Sequence, residues 1–448
     1  MADYAEGHAV VLGAGFAGLF AARVLAEFYG RVTVVERDEL SAGHAARRGV
    51  PQRDQGHELL ARGQLIAEEL FPGMTAEMVA AGAHLGDMSA NARWILEGRR
   101  LARTRSGLSI MACTRGFRER HLRARVEALP GVTVADGLAV QRLTTTPDRG
   151  TVTGVVVARG GQERTLTADL VVDATGRGSR TPVWLEELGY GRVAEDKHRI
   201  DVGYATRYYR TPPGAFEDDV SINTLASAEV PRGGSTQLVD GGLTIVTTYG
   251  ILGDHPPVDP EGFHAFVKSL ATPDIAEIVA VSQPVSDVVR YRFPANLRRR
   301  YERLTAFPDR FLVLGDAVCS FNPRYGQGMT VAALEALTLR AHLAGRERPE
   351  PLTFFTDLAV SVLNDVWDIV LTTDLVFPGV EGERGDDVRF IHEHVGRLQA
   401  AGMRDGDIAV ACLRVFGLVD PPAALFDQGL LDAVARVEEH SASNVPTA

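Results

Sequence analysis

Residues 8–36 constrain this chain more than any other stretch. His8-Ala-Val-Val-Leu12 is a short apolar run suited to a strand buried on both faces. It leads into Gly13-Ala-Gly15-Phe-Ala-Gly18 and an apolar helical stretch to about Phe28. Strand, glycine turn and helix in this order form a cradle for a dinucleotide. The first glycine makes the tight turn, the second lets a pyrophosphate approach the backbone, and the third lets helix and strand pack closely. The helix N-terminus then turns its free N–H groups toward the phosphates. A second strand, Arg31 to Glu36, ends on an acid 21 residues after Gly15, and that carboxylate can accept both ribose hydroxyls of an adenosine. With Arg37 at the same strand end, Gly13, Gly15, Gly18, Glu36 and Arg37 are the candidate ligands of an ADP moiety. These residues alone leave NAD and FAD both open.

Two later segments choose between them. Residues 311–329 read FLVLGDAVCSFNPRYGQGM: an apolar strand delivers Gly315-Asp316, and a Pro/Gly loop opens a helix from about Gly328 to Ala344. An aspartate at such a strand end can hold a ribityl hydroxyl. The amides at the helix start favour negative charge, such as that on the N1–C2=O edge of a reduced flavin. The segment Ala168-Asp-Leu-Val-Val-Asp-Ala-Thr-Gly-Arg-Gly-Ser-Arg180 is another strand ending in a Gly/Ser turn.

Together these three segments resemble the group A FAD-dependent monooxygenases, over roughly residues 8–345. The resemblance implies an α/β fold: a Rossmann-type FAD-binding domain, an antiparallel-sheet substrate domain and a C-terminal helical layer. It implies that Asp316 binds the ribityl chain and that Pro323, Gly326, Gly328 and Met329 border the isoalloxazine. Arg115, in Ala-Cys-Thr-Arg-Gly-Phe, matches an arginine that opens a helix beside the cofactor. The chain departs from the family at Thr175, where the usual second motif has an aspartate. A narrower resemblance, at Arg47-Arg-Gly-Val-Pro-Gln-Arg-Asp-Gln-Gly-His-Glu-Leu-Leu-Ala-Arg-Gly63 and Asn322-Pro-Arg-Tyr-Gly-Gln-Gly-Met329, is to epoxidase-like flavoproteins of polyketide (polyether and polyene) biosynthesis. Those proteins often carry two histidines after Pro-Gln; here Gln55 takes the first position and His57 the second.

The same resemblance divides the chain into a discontinuous FAD-binding domain (1–75, 100–185 and 285–345), a substrate domain (76–99 and 186–284) and a C-terminal helical region (346–448). The alternation over 151–172, broken at Gly160-Gly161, predicts a meander. Asp201 to Arg210 and Leu243 to Tyr249 read as strands of the substrate sheet, Gly253 to Gly262 as a loop, and the tail after His440 as disordered. Leu358, Val362, Val366, Ile369 and Val370 recur at helical spacing. Arg298-Arg-Arg300 with Arg303 reads as a solvated charged face.

A net charge of −11 argues against a nucleic-acid binder, since nothing in the average field attracts phosphate. Cys113, Cys319 and Cys412 are widely spaced and odd in number, which points to a reduced, cytoplasmic protein without a disulfide framework. The first residues lack a signal peptide's basic start, and the most apolar window, Leu358 to Phe377, is interrupted by Asp365, Asp368 and Asp374, so no membrane span is expected. His392 and His394 lie on different helix faces, and no metal site is expected.

No acid/base cluster stands out, so no catalytic residue is assigned. The resemblance implies an oxidoreductase that uses NAD(P)H as a transient reductant and dioxygen as a substrate. Through a flavin C4a-hydroperoxide it would epoxidise or hydroxylate a large apolar polyketide-like molecule. Oxygen transfer to an alkene needs a dry, shaped cavity more than a protein nucleophile. Trp94, Tyr204, Tyr208 and Tyr249 are candidate pocket residues. A redox-neutral cyclase retaining FAD is the alternative, with a flavin-dependent reductase behind it. A halogenase would need an early lysine, and the first lysine is Lys197.

Overall fold

The structure, a computed structural model, describes residues 6–40, 47, 49–344, 346 and 348–443. Five strands form a parallel sheet in the order Phe311–Val313, Leu170–Asp173, His8–Leu12, Arg31–Val35, Val132–Ala135. Every residue of His8–Leu12 is buried, as a central parallel strand covered on both faces requires. The helices Phe16–Leu25 and Gly328–Ala344 pack against each other beside this sheet. The predicted meander, Ala139–Thr145, Val152–Arg159 and Gln162–Thr167, adds Val152, Val155 and Val157 to the same core. Gly160 and Gly161 make its turn with φ of +57° and +86°, a left-handed pair that tight hairpins require.

A larger sheet runs in the order Cys319–Ser320, Val289–Arg299, Glu195–Arg210, Leu243–Gly250, Arg232–Val239, Ser221–Thr224, Ala92–Leu96, Arg99–Arg100. Its pairings are antiparallel except Ser221–Thr224 with Ala92–Leu96. Period-two alternation divides its long strand between two environments. Ala205 and Tyr209 face the helices Pro260–Lys268 and Asp274–Val281, where they pack with Phe263, Phe266 and Ile275. Tyr204, Thr206 and Tyr208 face the other way and hydrogen-bond Asn322, Gln55 and the Asp54 carbonyl. That second face is a wall of the candidate site. The fold is thus α/β, with a parallel Rossmann-type sheet, a mostly antiparallel sheet and C-terminal helices.

Three expectations change. The stretch Gly253 to Gly262 is not all loop: Asp259 caps a helix that starts at Pro260, its carboxylate accepting the Gly262 N–H. The C-terminal helix Gln428–Ser443 runs past His440, and residues 444–448 lie outside the described residues. The arginines at 298–300 are not a solvated face. Arg298 is 1% exposed and Arg299 6%. Arg298 donates to the Leu363 carbonyl, Asn364 and Glu302. Leu363 closes a π-helical turn, Ala359–Leu363, between the helices Pro351–Leu358 and Asn364–Asp374. Such a turn disturbs the regular ladder and leaves carbonyls to outside donors.

Candidate cofactor and substrate site

The three glycines of the first turn have different surroundings. Gly13 has φ +99°, and a Cβ there would sit 2.6 Å from the Ala174 carbonyl oxygen. A Cβ on Gly18 would sit 1.9 Å from the Gly13 carbonyl oxygen. Both are internal packing requirements. A Cβ on Gly15 would meet no heavy atom within 4 Å. This glycine borders open space at the start of the helix Phe16–Leu25, where free N–H groups gather.

Glu36 lies just beyond its strand and is buried. Its carboxylate accepts the Ala14 N–H at 3.0 Å and the Asp38 N–H at 3.0 Å, and pairs with Arg47. Arg47 also pairs with Glu119, which in turn holds Arg115 at 2.8 Å. Arg115 is the first residue of the helix Arg115–Glu127, capped by Thr114, and its guanidinium lies 5.2 Å from the Phe16 ring centre. Burial lowers its pKa, partly offset by Glu119. The neighbouring Arg118 is buried too and donates to the Met111 carbonyl. Arg37 is largely exposed, 3.9 Å from Asp38, at the rim of this cluster.

The two later motifs meet. Gly315 has φ +67°, and a Cβ there would lie 2.6 Å from the Ala17 Cβ; a Cβ on Gly176 would lie 4.0 Å from that of Asp316. The Gly315 N–H donates to Glu335, a fully buried carboxyl that burial raises to about 8. The carboxylate of Asp316 accepts no hydrogen bond among the described residues. Burial raises its pKa, opposed by Arg177, Arg115 and Arg299.

Thr175, the departure from the family pattern, is part of a closed turn. Asp173, fully buried, accepts the Thr175 N–H at 2.8 Å and the hydroxyls of Thr175, Ser179 and Thr181 at 2.6, 2.5 and 2.5 Å. Arg299 ties this turn to the Gly315-Asp316 turn, donating to the Arg177 and Ala317 carbonyls, each at 2.9 Å.

The loop of residues 322–329 is fixed from behind by Asp374, at the end of the helix Asn364–Asp374. This buried carboxylate accepts from Asn296 at 2.8 Å, Tyr325 at 2.7 Å and Asn322 at 3.4 Å. Asn322 accepts from the Tyr204 hydroxyl at 3.1 Å. Pro323 opens a short 3-10 turn, Gly326 ends it at φ +66°, and Gly328 and Met329 begin the long helix. Opposite the loop, residues 55–60 form a strap. Gln55 and Gly56 are bonded to Thr206 and Thr247 of the large sheet, and the Leu60 N–H to Thr330. His57 is fixed through its Nδ1 on the Gln55 carbonyl, and burial beside Arg115 pushes it down to about 3.

Of the candidate pocket residues, Tyr204 and Tyr249 pack as tilted rings 5.9 Å apart on the site face of the sheet, with Tyr291 6.1 Å from Tyr204. Trp94 does not join them. It packs edge-on against Phe416 at 5.3 Å and donates to the Met88 carbonyl in a separate core. His392 and His394 each hydrogen-bond a backbone carbonyl, of Thr372 and Leu425. Sequence reasoning passed over Arg47, Glu58, Arg299, Glu335 and Asp374. Arg299 and Asp374 in particular bond residues distant in the chain, which only the fold brings together.

No helix among the described residues is long and apolar enough to cross a membrane. Residues 6–350 match the FAD binding domain family. Protein Rv3254 of Mycobacterium tuberculosis is 38% identical over 353 residues, covering 76% of this chain and 73% of that protein. Among solved structures, a flavoprotein/dehydrogenase from Cytophaga hutchinsonii is similar with a TM-score of 0.69 at 15% identity, covering 97% of this chain and 100% of that one. PqsL, a probable FAD-dependent monooxygenase from Pseudomonas aeruginosa, has a TM-score of 0.62 at 16% identity, covering 82% and 94%. The p-nitrophenol 4-monooxygenase PnpA from Pseudomonas putida has 0.64 at 15%, covering 93% and 99%. These structures share the fold, and by the family match this chain belongs to the FAD binding domain family.

Proposed function

We propose that this flavoprotein is a monooxygenase that transfers one oxygen atom from dioxygen to a large apolar, polyketide-like substrate, by epoxidation or hydroxylation. The observation that carries the reading is the confrontation of two walls. The 322–329 loop, anchored by Asp374, faces the Tyr204–Tyr249–Tyr291 side of the large sheet, with Tyr204 bonded to Asn322. An apolar substrate bound beside this contact would be screened from water at the reactive end of a bound flavin.

The chain's residues fit FAD. The open cradle at Gly15 and the Ala14–Glu36 corner suit the ADP half, with Gly13 and Gly18 holding the turn and Arg37 and Arg115 flanking it. The unpartnered Asp316 carboxylate suits a ribityl hydroxyl. Pro323, Gly326, Gly328 and Met329 would border the ring. Bound FAD, reduced by transiently bound NAD(P)H, supplies the activation of dioxygen. In this reading residues 1–75, 100–185 and 285–345 serve the cofactor, 76–99 and 186–284 the substrate, and 346–448 brace the loop from behind. The substrate class rests on the resemblance of residues 47–63 and 322–329.

The test is labelled dioxygen. Purified protein that releases FAD should consume NAD(P)H and leave one labelled oxygen atom in the product of a polyene or polyketide substrate. Product formed anaerobically, without reductant and at unchanged mass, would replace this reading with a redox-neutral cyclase.

A further inference from the structure

The strap of residues 55–60 carries a titratable group that the sequence did not single out. Glu58 sits between two fixed points, Gly56 bonded to Thr247 and Leu60 bonded to Thr330. Its Cβ lies 3.9 Å from the Cβ position of Gly326, so the side chain starts directly against the loop assigned to the flavin ring. It is partly accessible, and its carboxyl accepts no hydrogen bond among the described residues. Arg118 is the charged group that acts on Glu58, and Arg115 and Arg118 act on His57 beside it, both from the start of the helix Arg115–Glu127. The 322–329 loop meets Glu58 at Gly326, and its charged residue Arg324 is turned onto Tyr325 and Phe377. His57 is neutral at physiological pH and cannot compensate a carboxylate. Arg118 is already engaged with the Met111 carbonyl and Gln64.

We infer that Glu58 is the proton-exchanging side chain of this cleft, its carboxylic acid giving a proton to an oxygen atom gaining negative charge on the bound molecule. The inference rests on the proposed placement of the cofactor against Gly326. In the step, the Glu58 O–H bond breaks and an O–H bond forms on an alkoxide, enolate or opening-epoxide oxygen. The resulting carboxylate then takes a proton from water at the cleft mouth. Burial agrees with this role: it raises the Glu58 carboxyl to about 7, with Arg118 opposing. A general acid works best when its pKa lies near the working pH.

The test uses the FAD-loaded protein and two variants, Glu58→Gln and Glu58→Asp. The visible spectrum of bound oxidised flavin is titrated from about pH 5 to about pH 9, where ordinary carboxyl groups do not titrate. The wild type should show a one-proton transition centred near the Glu58 value. Glu58→Gln should lose it while binding FAD within about twofold of the wild type, a difference well below that of a lost hydrogen bond. Glu58→Asp keeps the proton and should show a displaced transition. With substrate, the wild-type kcat should fall as pH rises through the transition, and Glu58→Gln should be slow and flat. Because Glu335 titrates in the same window, the titration is repeated in a Glu335→Gln background. A transition that survives Glu58→Gln there, or its absence when Glu58 is intact, overturns the inference and leaves the monooxygenase reading intact. Protein that binds no FAD overturns the functional reading instead. Should Glu58→Gln not fold, an Asp variant whose transition stays at the wild-type position is enough to overturn the assignment.

Discussion

Replacing Asp374 should cost both stability and cofactor affinity, and the geometry sets the scale. The carboxylate is fully buried and is the acceptor for Asn296, Tyr325 and Asn322, with the Arg324 Nε 4.0 Å away. Neither of the close donors can turn aside. Asn296 spends its oxygen on the Asn322 N–H at 2.6 Å, which fixes its amide group toward Asp374. Tyr325 receives an N–H from Arg324 at 2.8 Å, which fixes its own proton toward Asp374. Asp374→Asn therefore faces one of them with N–H against a donor, at about 1–3 kcal/mol for the buried group left unsatisfied. Asp374→Ala removes every acceptor and strands the buried Arg324 charge, about 3–5 kcal/mol. The 322–329 loop loses its anchor in both, so FAD should bind at least about tenfold more weakly, or ~1.4 kcal/mol. Urea unfolding and flavin-fluorescence titration measure the two effects. If Asp374→Ala matched the wild type within about 0.5 kcal/mol in both, the usual range for inconsequential surface changes, the network would not be holding the loop.

Two further outcomes follow from buried and open positions at the same site. Gly15→Val should fold with wild-type thermal stability yet retain no FAD, because its side chain enters open space, whereas Gly18→Ala should lower stability outright, because its Cβ meets the Gly13 carbonyl; equal losses of stability in the two would contradict the cradle. Glu335 is raised from 4.5 to about 8, so its contribution to stability is fully present below pH 4.5 and is lost as pH rises through about 8. Subtracting the pH dependence of Glu335→Gln, read from urea midpoints, should remove that decline from the wild-type curve, and parallel curves would show that the carboxyl does not titrate in this window.

What the sequence displayed was local. The first strand, the glycine turn and the helix Gly328–Ala344 were legible because their signals lie within a few residues: an apolar run, a glycine turn, and a Pro/Gly loop that opens a helix. The helix at Pro260 was also written locally, in Asp259-Pro260, but the surrounding Gly, Pro and Asp masked it. Arg298 and Arg299 were illegible for a different reason. Consecutive arginines read as solvated unless partners are known, and theirs come from residues 177, 195, 317, 363 and 364. Glu58 and Asp374 belong to the same class: an isolated acid acquires meaning only from what long-range packing sets against it. Trp94 stands apart from Tyr204 and Tyr249 because the strand it occupies lies toward the far edge of the sheet, where it packs in a separate core and borders a different cavity with Arg93, Arg100 and Arg103.

The order of the parallel strands also has a bearing on how the protein is made. The strand synthesised first, His8–Leu12, lies at the centre; one neighbour arrives at residue 31, the other at residue 170, and the outermost strand on that side only at residue 311. On the ribosome the nascent chain therefore carries an unpaired strand edge through most of its synthesis, a condition that invites mispairing and chaperone capture. Contacts closing over some three hundred residues also make for slow folding. Because Gly315 must settle on Ala17 before the two halves of the cradle face each other, a released fragment ending before residue 311 should capture no flavin, and vitamin supply would act on this protein only after that strand has been made.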